Sequence, residues 1–284
     1  MDIFGYEYHE GERQIQDAGG VHHAADLLAE MVVPAISAGA QAFLGSVDVV
    51  ALAGIDRRGR CWATLLGGLS GSVIATSTAV ALGAPGGSDP LGELAPGDQV
   101  GMVAIDMPAR QRLRVNGIVI AASATCLTVE VREAYGNCRK YIDTERMIGP
   151  TASAESLERS SLSREDAVLV ASTTTFFIGS AHPDRGADCS HRGGPAGFVQ
   201  VTSPTSLSFP DYPGNNMYNT LGNLLVNPSV GLVIPDPDGR HLQITGTATL
   251  QIGEPNEHTR TGRAVSVEID EIRRPITDTP VRPL

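Results

Sequence analysis

The chain repeats itself. Residues Leu91 to Asp106 (LGELAPGDQVGMVAID) align with Leu221 to Asp236 (LGNLLVNPSVGLVIPD) at a shift of 130, with seven of sixteen positions identical. Gly67 to Gly71 (GGLSG) aligns with Gly193 to Gly197 (GGPAG) at a shift of 126, and Gly117 of Arg-Val-Asn-Gly aligns with Gly246 of Gln-Ile-Thr-Gly at 129. The order is preserved, and the small drift in shift falls where loops absorb it. A duplication of this kind calls for an architecture that two similar units build together.

Each unit reads as a run of short strands. Val49 to Ile55 is continuously apolar, Asp56-Arg-Arg-Gly59 is a turn, and Arg60 to Leu66 returns as a second strand. Further strands are expected at Val100 to Asp106, Leu113 to Ile120 and Thr128 to Arg132. In the second unit, Ser163-Arg-Glu-Asp166 carries a capping-box pattern that opens a short helix, and Val265 to Ile272 alternates as a strand. One helix is expected after the long loop of each repeat. The fold class is mainly β with helices (α+β), as two barrel-like halves about a pseudo-twofold axis. The expected division is a helical lead-in (1–47), repeat one (48–147), a connector (148–162) rich in Ser, Ala, Thr and Glu, and repeat two (163–284).

Charge excludes two classes of partner. The 284 residues carry a net charge of -11 and a pI near 5.0, so neither nucleic acid nor an anionic membrane is an expected partner. There is no apolar run long enough to span a bilayer, and Met1 to Glu12 is polar and acidic where a signal peptide is basic and then apolar. A soluble, cytoplasmic protein is expected. Cys61, Cys126, Cys138 and Cys189 form no Cys-x-x-Cys pair, so buried free thiols are expected in place of a zinc site or disulfide framework. His9, His22 and His23 have no partner at a recognisable ligand spacing, and no metal is expected.

The repeats differ between Asp188 and Pro228. Ser190 and Arg192 alternate on a strand end, with His191 between them, and Gly193 and Gly194 follow. Asn215, Asn216, Asn219 and Thr220 precede a helical pattern at Leu221, Leu224 and Leu225. A cation beside hydroxyl and amide donors at a helix start makes an anion site, phosphate first among its ligands; read otherwise, the glycines are a turn and the asparagines cap the helix. At the equivalent positions repeat one has Thr64, Leu65 and Leu66, then Asp89 and Pro90. It has lost the cation and a backbone donor and gained a carboxylate. One phosphate site per chain is therefore expected, with Trp62 or the 135–142 segment on the opposing wall. Arg110, Arg112 and Arg114 also alternate, which suits either an anion-holding row or a solvated strand face.

The residues that carry these patterns also resemble a known family. SHRGGPAGFV (Ser190 to Val199) followed by GNNMYNTLGNLLVNPSVGL (Gly214 to Leu232) resembles the FMN-binding split β-barrel family related to pyridoxamine 5'-phosphate oxidase. His-Glu-Gly-Glu (9–12), DRRGRCWATLLGG (56–68), Arg-Val-Asn-Gly (114–117) and Tyr-Gly-Asn-Cys-Arg-Lys-Tyr-Ile (135–142) resemble a tandem branch of it. The resemblance implies FMN at an interface between two barrels, with Ser190 and Arg192 on the phosphate and Asn216, Asn219 and Thr220 on the phosphate or ribityl chain. It also implies a homodimer, although here the interface can lie between repeats. Pyridoxamine phosphate oxidase has further basic residues where this chain has His191, Asn219 and Thr220, and residues 252–284 lack its substrate-binding pattern, so that activity is not expected.

The expected function is a flavoprotein oxidoreductase that passes hydride or electrons through FMN between a small-molecule substrate, NADH or NADPH, and an acceptor or oxygen. Tyr141 is a candidate proton donor, and Cys138 and Cys189 are candidate redox thiols with inert burial as the alternative. A module that holds FMN, a deazaflavin or haem without turnover is the competing reading, and a structural pseudo-dimer with a decayed site is the third.

Overall fold

The structure, a computed structural model, describes residues 6–67, 72–145, 147 and 155–276. The Gly68 to Gly71 part of the glycine repeat, residues 148–154 of the connector and the tail from 277 lie outside the described residues.

Two helices lead in, α1 (Glu10–Ala18) and α2 (His22–Ala29). At α1 the His9 imidazole accepts from Gly11 N–H while Glu12 reaches back to His9 N–H, a closed capping box. Helix α3 (Ala38–Ser46) begins at Ser37, and its counterpart α4 (Arg164–Ser172) begins at Ser163, 126 residues later.

The first sheet contains β1 (Val49–Ile55), β2 (Cys61–Gly67), β3 (Ile74–Ala75), β4 (Ala79–Gly83), β5 (Gln99–Asp106), β6 (Gln111–Ala122) and β7 (Cys126–Gly136), in the order β2-β1-β5-β6-β7-β4-β3. After β8 (Ser156–Arg159) the second sheet repeats the plan. It contains β9 (Thr175–His182), β10 (Gly186–Gly193), β11 (Gln200–Ser203), β12 (Ser206–Pro210), β13 (Ser229–Pro235), β14 (His241–Ile252) and β15 (Arg263–Pro275), in the order β10-β9-β13-β14-β15-β12-β11. Each strand of the second sheet takes the place of the strand about 126 to 130 residues before it. All pairings are antiparallel, and β8, from the expected connector, pairs with β15. These are two split β-barrels in one chain.

A helix follows the long loop in repeat two alone. There α5 spans Asn219–Val226, whereas the equivalent stretch of repeat one, around Leu91 to Leu94, forms turns. Pro96 stands where α5 has Val226, and proline removes a helical N–H and pushes the preceding residue out of the helical region.

The halves pack through β1, β2 and β5 against β9, β10 and β13. A Cβ on Gly101 would lie 2.5 Å from Asp188 Cα, and one on Gly231 would lie 2.5 Å from Trp62 Cα. Gly101 corresponds to Gly231 and Trp62 to Asp188, so these are one contact made twice about the pseudo-twofold. Val49, Ala51, Ala53 and Val103 of one repeat share an apolar layer with Phe177, Cys189 and Val233 of the other. The barrel interface thus lies within one chain. No helix among the described residues is long and apolar enough to cross a membrane.

Candidate functional site

Parity on β6 places Arg112 and Arg114 on the side of the sheet that faces repeat two, where they meet β10 and the start of α5. The resulting cleft is bordered by Arg112, Arg114, Asn137 and Cys138 from repeat one. Repeat two contributes Ser190, His191 and Arg192, then Asp211 to Thr220 in part. Of the residues expected at the site, Ser190, His191, Arg192, Asn215, Asn216, Asn219 and Thr220 all come together here.

Arg114 is the hub. Its Nη1 lies 3.1 Å from Asp188 Oδ1 and donates to Tyr135 Oη and Asn219 Oδ1, while its Nη2 donates to Ser190 Oγ at 2.5 Å. The Ser190 hydroxyl also lies 3.1 Å from Asp188 Oδ2 and 2.8 Å from Thr220 Oγ1. Burial lowers the Arg114 pKa, but Asp188 outweighs it and the net direction is upward, so this guanidinium is permanently charged. Ser190 and Thr220 are therefore wired into a buried charge network.

Arg192 is also paired. Its Nη1 donates to Asp211 Oδ1 at 2.9 Å, and Arg263 Nε holds the other oxygen at 3.0 Å. Arg112 differs from both. Its Nη1 donates to His191 Nδ1 at 2.8 Å, and no carboxylate pairs with it among the described residues. Burial, reinforced by Arg114, lowers its pKa to about 10, which leaves it cationic at neutral pH. Because a guanidinium has no acceptor, His191 Nδ1 must accept; burial and then Arg112 push the His191 pKa well down and keep the ring neutral. Arg112 Nε, Arg192 Nε and Asn137 Nδ2 are buried donors without a partner among the described residues.

The loop before α5 adopts left-handed backbone at Asn216 (φ 64°) and Tyr218 (φ 61°), a conformation that asparagine tolerates better than most residues. Asn215 Nδ2 donates to Asn137 Oδ1 and Asn215 Oδ1 accepts from Met217 N–H. Asn219 donates to Glu12 and the Tyr6 hydroxyl. No side chain caps α5, so these asparagines tie the loop to repeat one and the lead-in. Burial raises the Glu12 pKa to about 7.

Trp62 is not brought to the cleft. It is fully buried in the core of barrel one, and its Nε1 donates to Asp56 Oδ2. Parity explains this: Ala63 and Leu65 face the inter-repeat layer, so Trp62 faces inward. Tyr141 does not border the cleft either; its ring stacks at 5.2 Å on Tyr212, which does. Cys189 is buried and its thiol pKa is driven upward by burial, whereas Cys138 borders the cleft. Arg110 sits on the turn before β6 and donates to Ile142 O.

Sequence reading left Arg112 and Arg114 between two meanings and missed Asp188 and Asp211 as counter-charges. The alternation of arginines was the available signal. It also missed a group at the lead-in: His9, Glu10 and His182 bring ligand atoms within 4.8 Å of one another, across 173 residues of sequence. Every ring nitrogen there has a protein partner. His9 Nδ1 accepts from Gly11 and Nε2 meets Asn223; His182 Nδ1 accepts from Asp184 and Nε2 meets Glu10.

No family model and no curated relative matches the sequence. Among solved structures, a pyridoxamine 5'-phosphate oxidase candidate from Lactobacillus delbrueckii is similar at 16% identity, covering 41% of this chain and 97% of its own, with a TM-score of 0.33. HupZ of Group A Streptococcus is similar at 7% identity, covering 43% and 100%, with a TM-score of 0.33. An F420 reductase is similar at 15% identity, covering 38% and 91%, with a TM-score of 0.25.

Proposed function

We propose that the cleft between β6–β7 and β10–α5 holds the phosphate of a flavin nucleotide, FMN or a deazaflavin relative. The observation that carries this reading is Arg112, a half-buried cation with no carboxylate partner among the described residues. An anion with several acceptor oxygens supplies what it lacks. The cations that border the cleft and their direct ion partners are Arg112, Arg114, Arg192 and Arg263, set against Asp188 and Asp211. Two positive charges remain, which suits a phosphate monoester of about −1.5 to −2. The unpartnered donors on Arg112, Arg192 and Asn137 fit the same group.

On this reading the protein is a flavin-dependent oxidoreductase, its electron donor NADH, NADPH or a small reduced molecule. The flavin, when bound, supplies hydride and electron transfer. The chain's own residues bind and orient it. Neutral His191 accepts from Arg112 and so aims that guanidinium, while Arg114 and Asp188 hold Ser190 and Asn219 in place.

The test is fluorescence titration with FMN and with riboflavin, which lacks the phosphate. FMN should bind at least ~10-fold more tightly than riboflavin, as expected for a charge-assisted hydrogen bond, and Arg112→Gln should bring the two affinities together. Equal affinities in the unaltered protein, or no binding of either, overturns the proposal. Anaerobic bleaching of bound FMN by NADH or NADPH separates an enzyme from a carrier.

A further inference from the structure

The pseudo-twofold that relates the repeats carries the Arg112 cleft onto a second one. At a shift of 129, Arg112 and Arg114 become His241 and Gln243; at 126, His191 and Arg192 become Leu65 and Leu66; at 130, Asn219 becomes Asp89. These replacements border one cleft, together with Ala84, Pro85 and Pro275. No cation borders it among the described residues.

His241 is 5% exposed, and neither Nδ1 nor Nε2 has a hydrogen-bond partner among the described residues. A buried polar group normally finds one. Burial lowers its pKa to about 4, so at neutral pH the ring offers one N–H donor and one acceptor nitrogen. Asp89 accepts from Leu91 N–H at 2.8 Å, Thr64 Oγ1 at 2.5 Å and Gln243 Nε2 at 3.1 Å. A carboxylate has about four acceptor positions, so one remains. Gln243 is committed to Asp89 and Ala63 O, and Leu65, Leu66 and the two prolines supply apolar walls.

We propose that this cleft binds an uncharged heterocycle bearing an amide or amidine edge, which pairs with both ring nitrogens of His241 and with the spare acceptor of Asp89. An anion would meet a carboxylate with no cation to offset it. A purely apolar ligand would leave His241 unsatisfied. A cation would satisfy Asp89 but offer no acceptor to the His241 N–H. An edge with alternating donors and acceptors meets all three groups, and the apolar walls accommodate a ring. The duplication thus holds two sites of opposite chemistry, one per repeat interface.

Calorimetric titration of the full chain with adenine, nicotinamide and inorganic phosphate tests this, with FMN titrated in parallel. Adenine or nicotinamide should bind saturably, inorganic phosphate should not compete, and the His241 nitrogens should shift in the 15N spectrum on addition. His241→Leu, an apolar replacement at a site without partners, should weaken binding at least ~10-fold, in line with a lost pair of hydrogen bonds. Ala84→Trp, which fills the cleft without touching its polar groups, should abolish it. Both variants should bind FMN as the parent does, so failure here is separable from failure of the flavin reading, which Arg112→Gln reports. If neither heterocycle binds, if binding survives both substitutions, or if phosphate displaces the heterocycle, the proposal is overturned.

Discussion

Arg114 Nη1 lies 3.1 Å from Asp188 Oδ1, an ion pair that joins a strand of one repeat to a strand of the other. Both partners are buried, so the charges have left water and hold only as a pair. Arg114→Met strands Asp188 and should lower unfolding stability by about 3–5 kcal/mol. Adding Asp188→Asn to it should restore a large part of that loss. Urea unfolding of the two variants checks both outcomes, and equal stabilities would show that the pairing contributes nothing.

Gly101 and Gly231 make the same close approach on opposite sides of the pseudo-twofold, one to Asp188 and the other to Trp62. Backbone stands in the way of an added Cβ, so no side chain can swing aside. Gly101→Ala and Gly231→Ala should each cost about 1–3 kcal/mol or more, by comparable amounts. A clear difference in thermal unfolding between them would contradict equivalent packing on the two sides.

His241 and His9 both have folded pKa values of about 4 against an ordinary value of 6.5, each lowered by burial. Between those values the unfolded chain takes up the protons and the folded one does not, so their contribution to stability falls as pH drops from 6.5 to 4. A shift of this size corresponds to about 3 kcal/mol for a fully buried ring. Glu12, raised to about 7 by burial, acts in the opposite sense: its contribution is full at low pH and is lost as pH rises through 7. The parent should therefore lose stability on acidification through this window, and His241→Leu should flatten the profile. An unchanged slope in urea midpoints between pH 6.5 and 4 would count against a buried neutral His241.

Trp62→Phe separates core from cleft. The indole fills barrel one and donates to Asp56, so its loss should lower stability by about 1–3 kcal/mol. FMN affinity should stay the same, which the fluorescence titration reads directly. A weakened affinity would return Trp62 to the binding wall.

The duplication and most strands were legible because strand periodicity is local. Val49 to Ile55 and the Ser163 capping box appear in the structure where the residues predict them. The second expected helix was not, because the Leu91 to Leu94 pattern matches Leu221 to Leu224 and the break depends on Pro96 several residues on. Ser190, His191, Arg192 and the asparagines were found by the failure of symmetry between repeats. Arg112 and Arg114 were ambiguous because alternation gives the face of a strand without saying what covers that face.

The sequence by itself determined two similar units, their strand content, and an asymmetry at 188–228 against 62–90. Those follow from side-chain periodicity, turn residues and the chemical identity of each position. Only the tertiary structure decided which charges are paired. Asp188 and Asp211 neutralise Arg114 and Arg192, while Arg112 is left with His191. Electrostatic pairing depends on distance through space, and Arg114 reaches Asp188 only after two sheets separated by seventy residues pack face to face.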